Sequence, residues 1–179
     1  MTRLQEKYKK EAMPAMKEKF GYKNNLAIPK IEKVTINTGI GKFMQDEKAI
    51  EEIVKDLTLI SGQKPVFTQA KKAISGFKIR QGLKVGLMAT LRGRRAFDFI
   101  DRLISLALPR SRDFRGIEQK SVDDHGNLNI GLKEQIIFPE ISHENIRNIF
   151  GMQITIKTTA KSHEEGTELF KLMRFPLKK

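Results

Sequence analysis

The residues of this chain best suited to do chemistry are cations standing without anions. Between Asp56 and Asp98 lie Lys64, Lys71, Lys72, Lys78, Arg80, Lys84, Arg92, Arg94 and Arg95, nine charges in 41 residues with no Asp or Glu among them. The chain carries +13 in all and this segment supplies +9; residues 1–30 give +5, 31–56 give −2 and 98–179 give +1. A stretch without acids does not neutralise itself through local ion pairs. Its counter-charge comes from outside, and polyanionic backbone is the usual source.

Two short strands must position those cations. Pro65–Ala70 reads as one, and Val85–Leu91 as another, with Val85, Leu87, Ala89 and Leu91 alternating with Gly86, Met88, Thr90 and Arg92. The connection Lys71–Lys84, KKAISGFKIRQGLK, holds five cations and two glycines. It is too long for a tight hairpin turn, and long loops of this kind are usually functional or disordered. Either it is an arm lying against nucleic acid, or it is a solvated loop whose Ile74, Phe77, Ile79 and Leu83 fold back on the sheet. Phe77, set among Lys71, Lys72, Lys78 and Arg80, either stacks on an unpaired base or stiffens the loop.

The remaining elements follow from periodicity. Residues 3–20 read as a basic helix with Leu4, Tyr8, Ala12 and Ala15 on one face, Pro14 dividing it and Gly21 stopping it. Lys30–Gly41 is a strand with Val34, Ile36 and Ile40 on one side and Lys33, Thr35 and Asn37 on the other. Asp46 caps a helix carrying Ile50, Ile53, Val54, Leu57 and Ile60, closed by Gly62. Ala96–Leu108 is the most apolar helix, stopped by Pro109, and Arg110–Gly116 is a second basic turn. A hairpin centres on Asp123–Asn127, followed by Leu128, Ile130 and Leu132. A short helix over Ser142–Phe150, a strand over Met152–Thr158 and a helix opened by the capping box Ser162–Glu165 complete the chain.

Each strand has an apolar side and a side of Thr, Asn, Gln, Gly or Lys. That pattern predicts a two-layer α+β fold: an antiparallel sheet with helices on one face, an open polar face, and a long basic loop. Asn37, Thr90 and Arg92 fall on the open face by parity, Lys33 shares Asn37's side of its strand, and Gln63 can reach the edge. Short amides and hydroxyls there suit base edges and ribose hydroxyls, with flanking cations for phosphates. The alternative is that this is simply the wet side of a two-layer fold.

Other chemistries find little support. Asn37–Lys42, NTGIGK, resembles a fragment of a phosphate-binding loop, but Ile36 and Phe43 stand where that loop needs Gly and Ser or Thr. Glycines that end a strand or admit RNA backbone explain it better. His125, His143 and His163 lack metal-ligand spacing, and no nucleophile elbow or cysteine is present. We expect no enzyme activity, no metal and no cofactor. The 179 residues suit one domain over 1–179, with 71–84 as its arm. A pI near 10.0 points to an acidic partner. No apolar run suits a membrane span, and the charged N-terminus is unlike a signal peptide. Absence of cysteine fits the cytosol.

Several motifs together resemble one family, the fifth ribosomal protein of the large subunit in its bacterial form. They are LTLISGQKPVFTQAKKA at Leu57–Ala73, GFKIRQG at Gly76–Gly82, ATLRGRR at Ala89–Arg95, LPRSRDFRG at Leu108–Gly116, GLKEQIIFPEI at Gly131–Ile141 and FPLKK at Phe175–Lys179. The likeness spans essentially the whole chain. Asp124 and His125 depart from it, since the family more often has Gly and Arg there. The resemblance implies a ribosome-bound, cytoplasmic protein that binds 5S rRNA in the central protuberance. Asn37, Gln63 and Thr90 would face 5S rRNA, and the 71–84 arm would reach toward P-site tRNA. Further implied partners are large-subunit rRNA, neighbouring ribosomal proteins and, across the subunit interface, small-subunit protein thirteen. A nonspecific polyanion binder, either a nucleic-acid chaperone or a peripheral membrane protein, is the competing reading.

Overall fold

A computed structural model describes the chain except Met1, Lys78, Asp113, residues 142–147 and Lys179. In order, the elements are α1 (Arg3–Lys7), α2 (Met13–Phe20), β1 (Ile31–Gly39), α3 (Glu47–Ser61), β2 (Val66–Gln69), β3 (Lys84–Arg92), α4 (Gly93–Arg102), α5 (Leu108–Arg110), β4 (Leu128–Leu132), β5 (Met152–Thr158) and α6 (His163–Leu172). The strands form one open antiparallel sheet, ordered β2-β3-β1-β5-β4. The α+β architecture expected from the alternation is what is found. The chain divides into two compact units, one of Met1–Val34, Leu91–Ile130 and Thr155–Lys179, the other of Thr35–Thr90 and Gly131–Ile154.

In the first unit, two prolines behave differently from expectation. Pro14 does not divide the first helix. Tyr8–Ala12 forms a π turn in which the Met13 N–H reaches back to the Tyr8 carbonyl, and α2 continues directly from it. Pro109 likewise does not end its helix: Leu103–Ala107 is a π turn, the Leu108 N–H bonds the Leu103 carbonyl, and the helix runs on to Arg110. The cause is shared. Widening the turn before the pyrrolidine ring relieves its clash with the preceding carbonyls, and the proline has no N–H to place. The extra residue also shifts the buried stripe, so that Met16 rather than Ala15 follows Leu4 and Ala12 into the core. The apolar helix begins at Gly93, earlier than expected.

The core of this unit also takes Phe99, Ile100, Leu103, Leu169 and Phe170. Phe170 meets Phe175 edge-on at 4.9 Å. Arg3 pairs with Asp101 at 2.7 Å, tying α1 to α4. The expected hairpin is present: Val122 bridges Leu128, and Asp123 accepts from the N–H groups of His125 and Asn127 at 3.0 and 2.8 Å. The capping box of α6 is half formed. The Ser162 hydroxyl accepts from the Glu165 N–H, but the Glu165 carboxylate turns to the Lys161 N–H and the Tyr22 hydroxyl.

In the second unit, Asp46 caps α3 through the Ala49 N–H, and Gly62 ends it in the left-handed region at φ 67°. Ala49, Ile53, Leu57 and Ile60 of α3 are buried, as are Ile36 of β1, Ile40 just past its end, and Leu87 and Ala89 of β3. Gln135, fully buried, donates to the Asn148 carbonyl at 2.6 Å and accepts from the Phe150 N–H at 2.9 Å. The helix expected over 142–150 lies outside the described residues up to 147, and Asn148–Phe150 is not helical.

Candidate nucleic-acid interface

The second unit exposes the sheet face on which the alternation placed Asn37 and Thr90. Val66 stands opposite Met88, and Thr68 opposite Gly86. Alternation adds Thr90 to that face. Asn37 joins it as well, because its side-chain oxygen lies 3.9 Å from where a Gly86 Cβ would stand. That same Cβ would approach the Thr68 hydroxyl to 2.7 Å and the Thr38 carbonyl to 3.0 Å, so a side chain here would force both to shift. Asn37 is exposed and Thr90 half-buried, and among the described residues neither side chain has a hydrogen-bond partner within the protein. An amide and a hydroxyl left open in this way can donate and accept at one surface. Val66 and Met88, 64% and 38% exposed, give the face an apolar strip that the sequence analysis does not identify. The parity of β2 against β3 is the signal that could have found it.

Gln63 is half-buried at the entrance to β2, just past the Gly62 cap. The Ser61 hydroxyl accepts its N–H at 3.2 Å and donates to its carbonyl at 2.7 Å, which fixes the backbone there.

The basic connection has structure of its own. At its base Ala70 and the Gly82–Leu83 pair exchange two backbone hydrogen bonds of 2.9 Å, and further out Ile74 and Ile79 exchange two of 2.8 and 3.1 Å. The result is a narrow hairpin extension. Three of its four large apolar residues stand exposed, Ile74, Phe77 and Leu83 at 49%, 72% and 39%, while Ile79 is half-buried. Lys71, Lys72 and Arg80 are exposed and unpaired with any acid among the described residues. The Lys84 ammonium instead lies 4.5 Å from the centre of the Phe67 ring, a cation–π contact at the foot of the arm. Lys78 lies outside the described residues.

Lys33 and Arg92 belong to the first unit, half-buried and exposed respectively. They are not free of acid. Glu32 is held below the usual carboxylate range, chiefly by its hydrogen bond with Lys157 at 2.9 Å, with the charges of Lys33 and Arg92 adding to the effect. In the same unit His163 spans the Val122 carbonyl and the Thr167 hydroxyl at 3.2 and 3.4 Å, a packing role. His125 sits in the Asp123 turn, and His143 lies outside the described residues.

Two family models match the chain. One, described as ribosomal protein L5, covers residues 24–80, and the other, described as the C-terminus of that ribosomal family, covers 84–177. The chain is similar to the large ribosomal subunit protein uL5 of Carboxydothermus hydrogenoformans, 50% identical with 98% of each chain covered. It is 54% identical to that of Cupriavidus metallidurans over 99% of this chain and 98% of the relative. With that of Thermoanaerobacter sp. it shares 52% identity over the full length of both.

Proposed function

The chain belongs to the ribosomal protein L5 family, and from that membership we propose that it anchors 5S rRNA in the central protuberance through the exposed sheet face. It is a structural constituent of the large ribosomal subunit, ribosome-bound in the cytoplasm, and not an enzyme. Asn37, Thr90 and Gln63 present hydrogen-bonding groups to 5S rRNA, and Lys33 and Arg92 contribute charge. The arm carries Lys71, Lys72, Lys78 and Arg80 toward P-site tRNA, with Phe77 offered for stacking and Lys84 steadying its foot on Phe67. Large-subunit rRNA, neighbouring ribosomal proteins and a bridge to small-subunit protein thirteen complete the proposed partners.

The observation that carries this reading is the pair of unpartnered side chains, Asn37 and Thr90, on an exposed strand face. A membrane surface needs charge but not fixed amides and hydroxyls, and no helix among the described residues is long and apolar enough to cross a membrane. Co-sedimentation of the purified chain with 5S rRNA and, separately, with anionic vesicles in physiological salt tests it. Retention on 5S rRNA alone is the expected result; equal retention on vesicles contradicts it.

A further inference from the structure

Arg174 occupies a place that helices usually give to glycine. At the end of α6 the Arg174 N–H bonds the Lys171 carbonyl and the Phe175 N–H bonds the Phe170 carbonyl, each at 2.9 Å. With Phe175 edge-on to Phe170, this is a Schellman stop, whose left-handed residue is ordinarily glycine. Alone among the described non-glycine residues, Arg174 takes that conformation, at φ 61°. A cation near a helix C-terminus suits the dipole, but Lys171 already supplies one in the last turn. Backbone strain of this kind collects at ligand clamps.

Arg174 lines a cavity of the first unit of about 450 Å³, a volume suited to a small ligand. Buried Leu4 and Met173 and half-buried Ile104 give the cavity an apolar base. Both π turns of the unit border it, one through Lys10 and the other through Ser105, and such turns recur at functional sites. Lys7 is half-buried here and its ammonium is held below the usual lysine range. Burial is the main cause, the Arg174 charge comes next and Arg3 adds a little, against an upward pull from Glu11. Arg3 is engaged with Asp101 at 2.7 Å, whereas Lys7 and Arg174 form no ion pair among the described residues. Two neighbouring cations with no acid at pairing distance suit a compact anion.

We propose that this cavity binds a small phosphorylated ligand the size of a nucleotide, its phosphate held between Lys7 and Arg174. The guanidinium takes phosphate oxygens as a fork and the ammonium as a point charge. The apolar base seats a ring, and the exposed Glu6 and Glu11 carboxylates, which repel phosphate, accept from ligand hydroxyls. A continuous RNA backbone is the poorer occupant, because Glu6, Glu11 and Asp101 all line the cavity. The site lies in the first unit and does not depend on the sheet-face reading.

Isothermal titration of the purified full chain with ADP, with GDP and with inorganic pyrophosphate tests the cavity. The variants are Arg174→Gly, Lys7→Gln and, as a control among the exposed cations away from it, Lys23→Gln. Wild type should bind at least one nucleotide, and pyrophosphate more weakly. Arg174→Gly and Lys7→Gln should each weaken nucleotide binding by about tenfold, and Lys23→Gln by less than about twofold. Without ligand, Arg174→Gly should melt at or above the wild-type midpoint, because glycine accepts the left-handed backbone freely. An earlier melt would show that the arginine serves the fold and would overturn the argument. Equal losses in all three variants would mean diffuse attraction to a chain of net charge +13 and overturn the cavity. Absence of nucleotide binding by wild type overturns it too, and loss of 5S rRNA affinity in Arg174→Gly would then assign these cations to RNA.

Discussion

Asn37 and Thr38 are neighbours on β1 with opposite fates. Asn37 turns outward with its amide open, whereas the Thr38 hydroxyl is buried with no hydrogen-bond partner among the described residues. An unpaired buried hydroxyl is a cost, so Thr38→Val should raise stability by about 1 kcal/mol. Denaturant titration should show a higher midpoint at unchanged slope. Gly86 is the opposite case, since its Cβ would press on the Thr38 carbonyl at 3.0 Å and the Thr68 hydroxyl at 2.7 Å. Gly86→Ala should therefore cost about 1–3 kcal/mol, the usual penalty of overpacking, measured in the same titration. Strand parity made the direction of Asn37 and Thr90 legible in the sequence. The absence of internal partners was not legible, because it depends on what the neighbouring strands bring alongside.

At the scale of elements, the arm and the 123–127 hairpin make separable predictions. Three exposed arm cations, Lys71, Lys72 and Arg80, stand ready to meet phosphate, while Lys84 is engaged with Phe67. Replacing those three by Ala should flatten the salt slope of tRNA affinity on assembled ribosomes by about 2.1–2.7, at about 0.7–0.9 each. An unchanged slope removes the arm from tRNA contact. In the hairpin, burial pushes the Asp123 carboxyl up, but hydrogen bonds from the Asn127 side chain and the Asn127 and His125 backbones outweigh it and leave the group below its ordinary 3.8. A carboxyl depressed on folding contributes stability above its ordinary value and loses it as pH falls through the lower folded value. Acid titration of Asp123→Asn against wild type should show the two stabilities converging below about pH 3.8 and wild type ahead above it. Turn residues announced this hairpin plainly. The prolines misled, because Pro14 and Pro109 read locally as helix breakers, whereas a π turn ahead of each absorbs the ring. Nothing in a local pattern distinguishes a broken helix from a swollen one.

At the scale of the whole molecule, the charge count and the fold complement each other. The segment between Asp56 and Asp98 holds +9 of the +13, and it threads the strands β2 and β3 that carry the exposed face and the arm between them. Cation placement was thus readable from sequence because the charges cluster along the chain. Arg92, one of the nine clustered cations, and Lys33 on the neighbouring strand both lie within electrostatic reach of Glu32, a neighbour that the charge count along the chain does not reveal. Full-length likeness to the uL5 proteins of three organisms supplies the family, and the surface supplies the mode of attachment proposed here. The decisive measurement is the affinity of the full chain for 5S rRNA with and without Asn37→Ala and Thr90→Ala. Each substitution should weaken binding by about 1–3 kcal/mol, roughly five- to a hundredfold or more, with folding intact. Wild-type affinity in the double variant would contradict the claim that this strand face holds the RNA.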